Sequence, residues 1–175
     1  MRTFTAALLL FSVVSGAAQP PAKKEKPKKP KIKDPLIIKI STQTGQGNKY
    51  AGSGANKVFI LINGEPEKKY HLTNKSKPFQ RGALDKFQLD TDLDPATIES
   101  VRLINESDDM WKCETITFQF FKGGKESKLL RHTIGQFISN GPERKALHAK
   151  PYVDIKMKVI LEDPKPPAKS ESGAQ

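Results

Sequence analysis

Between Thr115 and Phe120 the chain alternates strictly: Ile116, Phe118 and Phe120 are apolar, and Thr115, Thr117 and Gln119 polar. The same beat runs through Leu36–Thr42, with Leu36, Ile38 and Ile40 on one side and Lys39 and Ser41 on the other. It returns in Tyr152–Leu161, where Val153, Ile155, Met157, Val159 and Leu161 are expected inward and Asp154, Lys156 and Lys158 outward. A side chain changes face at every residue only in extended backbone. This period of two commits the chain to sheets with one buried face.

Other segments fit around these strands. Val58-Phe59-Ile60-Leu61-Ile62 is a continuous apolar run, as expected of a central strand covered on both faces, and Asn63-Gly64 ends it with turn chemistry. Val101-Arg102-Leu103 predicts a short strand, and only Pro95–Ser100 reads as briefly helical. Thr44-Gly45, Gly52-Ser53-Gly54, Gly64-Glu65, Gly123-Gly124 and Asn140-Gly141-Pro142 punctuate the chain. Short strands at near-regular spacing imply a sandwich or a barrel. No internal repeat is visible.

The two ends have a different composition. Arg2, the apolar run Ala6–Val14 and the small residues Ser15-Gly16-Ala17-Ala18 read as a secretory signal peptide over residues 1–18. The run falls short of the roughly 20 apolar residues that span a bilayer. Residues 19–34 are a Lys/Pro mixture without apolar periodicity and 163–175 a Pro-rich tail; neither buries enough surface to offset its ordering entropy, so both are expected to be disordered. Much of the net charge of +11 belongs to that arm, which carries Lys23, Lys24, Lys26, Lys28, Lys29, Lys31 and Lys33, leaving the folded part mildly basic. A secreted, extracellular protein is the expectation, and Asn74-Lys75-Ser76 and Asn105-Glu106-Ser107 are its candidate glycosylation sites at Asn74 and Asn105. Cys113 is the single cysteine, so the domain at 35–162 must rest on its core, with Cys113 as a buried, inert thiol.

Four segments in order carry a family signature. They are Ile38-Lys39-Ile40-Ser41-Thr42 with Thr44-Gly45; Ala51-Gly52-Ser53-Gly54-Ala55-Asn56 running into Val58–Gly64; Phe79-Gln80-Arg81-Gly82-Ala83-Leu84-Asp85-Lys86-Phe87; and Ile98–Leu103 followed by Asn105–Asp109, Trp111, Ile116 and Phe118. Together, over Leu36–Phe120, they resemble the PLAT (polycystin–lipoxygenase–alpha-toxin) domain. The resemblance implies an all-β fold, an antiparallel two-sheet β-sandwich, used as an accessory binding module. In the third segment Phe79 and Phe87 can anchor a loop on the core, Asp85 can cap backbone N–H groups, and Arg81 can pair with it. The stretch Gly123–His148 departs from the aromatic-rich closing segment common in the family.

The resemblance also implies that the Ala51–Asn56 and Asn105–Asp109 loops lie side by side at one end of the sandwich. Gly52, Ser53, Gly54, Met110 and Trp111 are then the candidate residues for meeting a lipid surface or a protein partner. Trp111 has an alternative role packed beneath the loop. Some members hold calcium there, and its candidate ligands here are Gly52, Asn105, Glu106 and Asp108, although Gly54 stands where such members carry an acid. Calcium takes six to eight oxygens.

No catalytic constellation is present: the sequence has no Gly-x-Ser-x-Gly elbow, no His-Glu-x-x-His and no phosphate-cradling glycine loop. His71, His132 and His148 are far apart in sequence. The expectation is a non-enzymatic module that docks on membrane lipid or a protein partner through its sandwich-end loops, without nucleic acid or a small-molecule substrate. The alternative is a secreted protein-interaction or effector protein that binds neither lipid nor calcium.

Overall fold

A computed structural model describes residues 33–47, 52, 55–145 and 148–164. The leader expected at 1–18, the arm at 19–34 apart from its last two residues, the tail at 163–175 apart from its first two, and Ser53 and Gly54 lie outside the described residues. The described part is all-β. Its strands are β1 (Leu36–Thr44), β2 (Val58–Ile62), β3 (Lys69–His71), β4 (Leu84–Thr91), β5 (Ser100–Asn105), β6 (Trp111–Lys122), β7 (Lys125–Ser127), β8 (Leu130–Ile138), β9 (Tyr152–Lys156) and β10 (Leu161–Glu162). Short 3-10 turns occupy Pro66–Lys68, Pro95–Thr97 and Pro142–Lys145. The middle one is the brief helical segment expected at Pro95–Ser100, where Asp94 caps the turn by accepting from Ala96 N–H.

The strands form two antiparallel sheets. One runs β10-β7-β6-β1-β4, with β8 also paired to β6; the other runs β3-β2-β5-β9. The period of two explains the first. In β1 the inward residues Leu36, Ile38, Ile40, Thr42 and Thr44 are buried, and in β6 Ile116, Phe118 and Phe120 are fully buried. Opposite them stand Val58, Ile60, Ile62, Val101, Leu103 and Ile155 of the second sheet, in one continuous apolar cluster. Each such side chain contributes about 1.5–3 kcal/mol by leaving water.

Three details differ from the sequence expectation. The alternation over Tyr152–Leu161 is not one strand: β9 pairs with β5 in the four-stranded sheet, and β10 pairs with β7 in the six-stranded one. The chain crosses between the layers at Met157–Ile160, so the apolar beat continues while the sheet beneath it changes. The run Val58–Ile62 is indeed flanked by strands on both sides, but its outer face carries no further layer. Instead the Lys69 ammonium lies 4.3 Å from the centre of the Phe59 ring, which also stacks on His71 at 4.6 Å. The long stems of basic residues do the covering. Finally, β3, β4, β7 and β8 are strands that the sequence did not announce.

Candidate functional site

The loop after β5 is held from beneath by Asn105. This side chain is 0% exposed. Its amide nitrogen donates to Asn56 Oδ1 at 2.9 Å, to the Asp109 carbonyl at 2.7 Å and to the Ile138 carbonyl at 3.1 Å. Its Oδ1 accepts from the Ser107 N–H at 3.2 Å and hydroxyl at 2.7 Å. One buried amide thus ties together the segment before β2, its own loop and the end of β8. Glu106 N–H donates to the Lys57 carbonyl, closing the same corner.

Two glycines let neighbouring backbone approach. A Cβ on Gly141 would stand 2.4 Å from the Asp108 carbonyl oxygen, and one on Gly52 2.1 Å from the Phe79 carbonyl oxygen. Only glycine fits so close an approach. Phe79 has φ of +65°, and the Asp85 carboxylate accepts its N–H at 2.7 Å. Asp85 therefore caps backbone as expected; Arg81 is exposed, and among the described residues the ion pairs do not join it to Asp85.

Loops of this kind brought together at one end of a two-sheet β-sandwich invite comparison with known proteins. A family model described as the PLAT/LH2 domain matches residues 38–144, more than half of the chain. The chain belongs to the PLAT/LH2 family. The match runs through most of the stretch after Gly123, beyond the Phe120 limit of the sequence resemblance. No curated protein matches the sequence. Among solved structures, an alpha toxin from Clostridium absonum is similar at 17% identity and a TM-score of 0.49, over 71% of this chain and 32% of that one. An alpha-toxin from an avian strain of Clostridium perfringens gives 19% and 0.48, over 71% and 32%. A coral 8R-lipoxygenase, described as calcium-activated through a C2-like domain, gives 13% and 0.46, over 74% and 18%. This chain thus spans well under two thirds of each of those proteins.

In this PLAT domain the candidate contact residues divide. Gly52 is half-buried against Phe79. Met110 and Trp111 turn inward, and the Trp111 indole N–H donates to Thr44 Oγ1 at 2.9 Å while its ring meets Phe79 edge-on at 4.9 Å. Trp111 packs beneath the loop, and Met110, 6% exposed, is no surface contact either, because the carbonyl of Asp109 before it is tied down by Asn105. What the loop presents to solvent is acidic: Glu106, Asp108 and Asp109 are exposed.

Two of the four candidate calcium ligands, Asn105 and Glu106, are engaged by other groups. Asn105 Oδ1 is taken by Ser107, and the Glu106 carboxylate by an ion pair with Lys69. Among the described residues no three His, Cys, Asp or Glu side chains come close enough to hold a metal. Glycosylation at Asn105 meets the same obstacle, since the nitrogen that would carry the sugar is enclosed and donates to three oxygens. Asn74 is different: it is half-buried on a loop, and its Oδ1 accepts from the N–H and hydroxyl of Ser76, which leaves its amide nitrogen outside that turn.

Asn56 and Gly141 read as loop and turn residues in the sequence, but their role as supports, with Ser139, was not legible there. Ser139 and Gly141 form a local turn through the Gly141 N–H to Ser139 Oγ bond, and Asn56 lies far from both in the chain, so only the packed fold shows its bond to Asn105.

Proposed function

We propose that this PLAT domain is a non-catalytic, exported binding module whose sandwich-end loops dock on another protein. One observation carries the reading: a loop fixed from beneath by the buried Asn105 carries Glu106, paired with Lys69, and the exposed Asp108 at its surface, while its apolar residues Met110 and Trp111 face the core. A rigid polar tip of this kind loses little entropy on binding a complementary protein surface. Among the described residues the loop at 105–110 offers no exposed apolar side chain to a bilayer, and its carboxylates repel anionic headgroups.

The reactive groups support a non-catalytic role. Burial pushes the Cys113 thiol far up, away from the nucleophilic thiolate, and its Sγ lies 3.7 Å from the Thr115 carbonyl. His71 stacks on Phe59 at the edge of one sheet, while His132 leans edge-on against Phe118 in the other. Neither arrangement has the nucleophile and base within reach that acyl transfer requires.

The test compares the full chain with Asp108→Lys in two assays. One is sedimentation with phosphatidylcholine and phosphatidylserine vesicles, with and without calcium; the other is capture from extracellular fluid of the source tissue. A single stoichiometric partner held by the wild type and lost by the variant is the expected outcome. Calcium-dependent vesicle binding that the variant loses would replace the protein reading by the lipid one.

A further inference from the structure

The outward face of the six-stranded sheet is more basic than a solvent-facing surface needs to be. The register sets Lys86, Ser41, Thr117 and Arg131 side by side across β4, β1, β6 and β8, with Gln88, Lys39 and Gln119 in the next row. Adjacent strands lie about 4.8 Å apart, so Lys86 and Arg131 are about 14 Å apart at their backbones, with Lys39 between them one row on. The middle of this face is a shallow recess of about 410 Å³, floored by Lys39, Ser41, Lys86, Thr117 and Gln119 and walled at one end by Leu129.

Among the described residues no carboxylate lines the recess. Among the described residues none of the three cations takes part in an ion pair. The carboxylates nearest in register, Asp90 and Glu126, accept from Gln88 and Gln119 instead. The opposite sheet behaves differently: there Lys69 and Arg102 are each neutralised, by Glu106 and Asp154. The lysine run from Lys23 to Lys33 leads in sequence directly into β1, the strand that carries Lys39 and Ser41.

The geometry points to this face as a docking site for an acidic polysaccharide, a chain of sulfated or carboxylated sugars. Cations spread over several strands and without a carboxylate partner among the described residues, Lys39 resting over the Phe121 ring at 4.4 Å, match anions that recur along a polymer. The hydroxyls and amides between them match the sugar hydroxyls. The recess selects the polymer over a membrane, because a flat bilayer rests on the rims while a narrow chain reaches the floor. This site shares no residue with the loop end, so either assignment can fail without the other.

Titration calorimetry of the full chain with heparin, in about 0.15 M salt where distant charges are screened, tests it. The face variant K39Q/K86Q/R131Q is compared with K75Q/K77Q/K158Q, which loses the same charge elsewhere on the surface. All six side chains lie outside the core, and matched thermal unfolding confirms that both variants fold. The face variant is expected to bind about tenfold more weakly and the other to change by less than about twofold. Equal losses would overturn the proposal and leave net charge or the lysine run as the whole cause. Binding of phosphatidylserine vesicles or single-stranded DNA as tightly as heparin, lost in the face variant, would overturn it too, by showing a general anionic surface.

Discussion

Asn105 shows how far one side chain can determine a loop. Its nitrogen donates to three oxygens that belong to three separate segments, and of these the Ser107 hydroxyl reaches Asn56 Oδ1 and the Asp109 carbonyl only at 3.3 Å. Asn105→Asp keeps the shape and removes the donor, so a carboxylate would face Asn56 Oδ1 and two carbonyls. The expected cost is about 3 kcal/mol, since Ser107 still donates to one carboxylate oxygen while the other faces only acceptors in a buried place. Urea unfolding followed by the fluorescence of Trp111, the single tryptophan, measures it. Cys113 provides a second test at this scale. A fully buried thiol whose ionisation is suppressed should resist Ellman's reagent in the native protein and react at once in guanidinium. Rapid native labelling would contradict the packing of β6. Cys113 was legible as inert from its apolar strand; the burial of Met110 was not, because a methionine after Asp108-Asp109 carries no local sign of which way it turns.

At the scale of strands, the legible ones were those whose apolar residues all point one way. β1, β2 and the centre of β6 fall where the alternation or the apolar run put them. β4 escaped because its polarity is inverted at the start: Leu84 points out at 61% exposure, while Asp85 points in to hold the Phe79 N–H. β8 escaped because its beat breaks at Gly135, with φ of +61°, near the register shift opposite Cys113–Thr115. The same blindness hid the basic sheet face, since Lys86 and Arg131 lie on those two strands. β8 also carries the group most open to pH. His132 is half-buried, its Nε2 has no hydrogen-bond partner, and burial lowers its pKa below 6.5. The unfolded chain therefore binds the proton more readily than the folded one, so stability is full above about pH 6.5 and declines as pH falls through the window below it. Urea midpoints at about pH 7.5 and about pH 5.5 should differ less in His132→Phe than in the wild type. An unchanged difference would assign the decline to other groups.

For the whole molecule, the two candidate glycosylation triplets test whether export and folding are compatible as proposed. Sugar is attached to an extended chain before it packs, so Asn74 and Asn105 are equally accessible at that moment. Folding then separates them. A glycan on Asn105 would replace one of its two amide protons at the point where three strands and loops meet, and a bulky polar group has no path out of a fully buried position. Chains modified there cannot close the sandwich and would be retained by the cell that makes them. At Asn74 the Oδ1 already accepts from Ser76, and the loop faces solvent at positions 75–77, so the sugar projects freely. Protein recovered from the medium of a glycosylating host should therefore shift on a gel by one glycan after enzymatic deglycosylation, and Asn74→Gln should abolish the shift. A residual shift in that variant would mean that Asn105 carries sugar in folded protein, and the network around it would then have to be wrong.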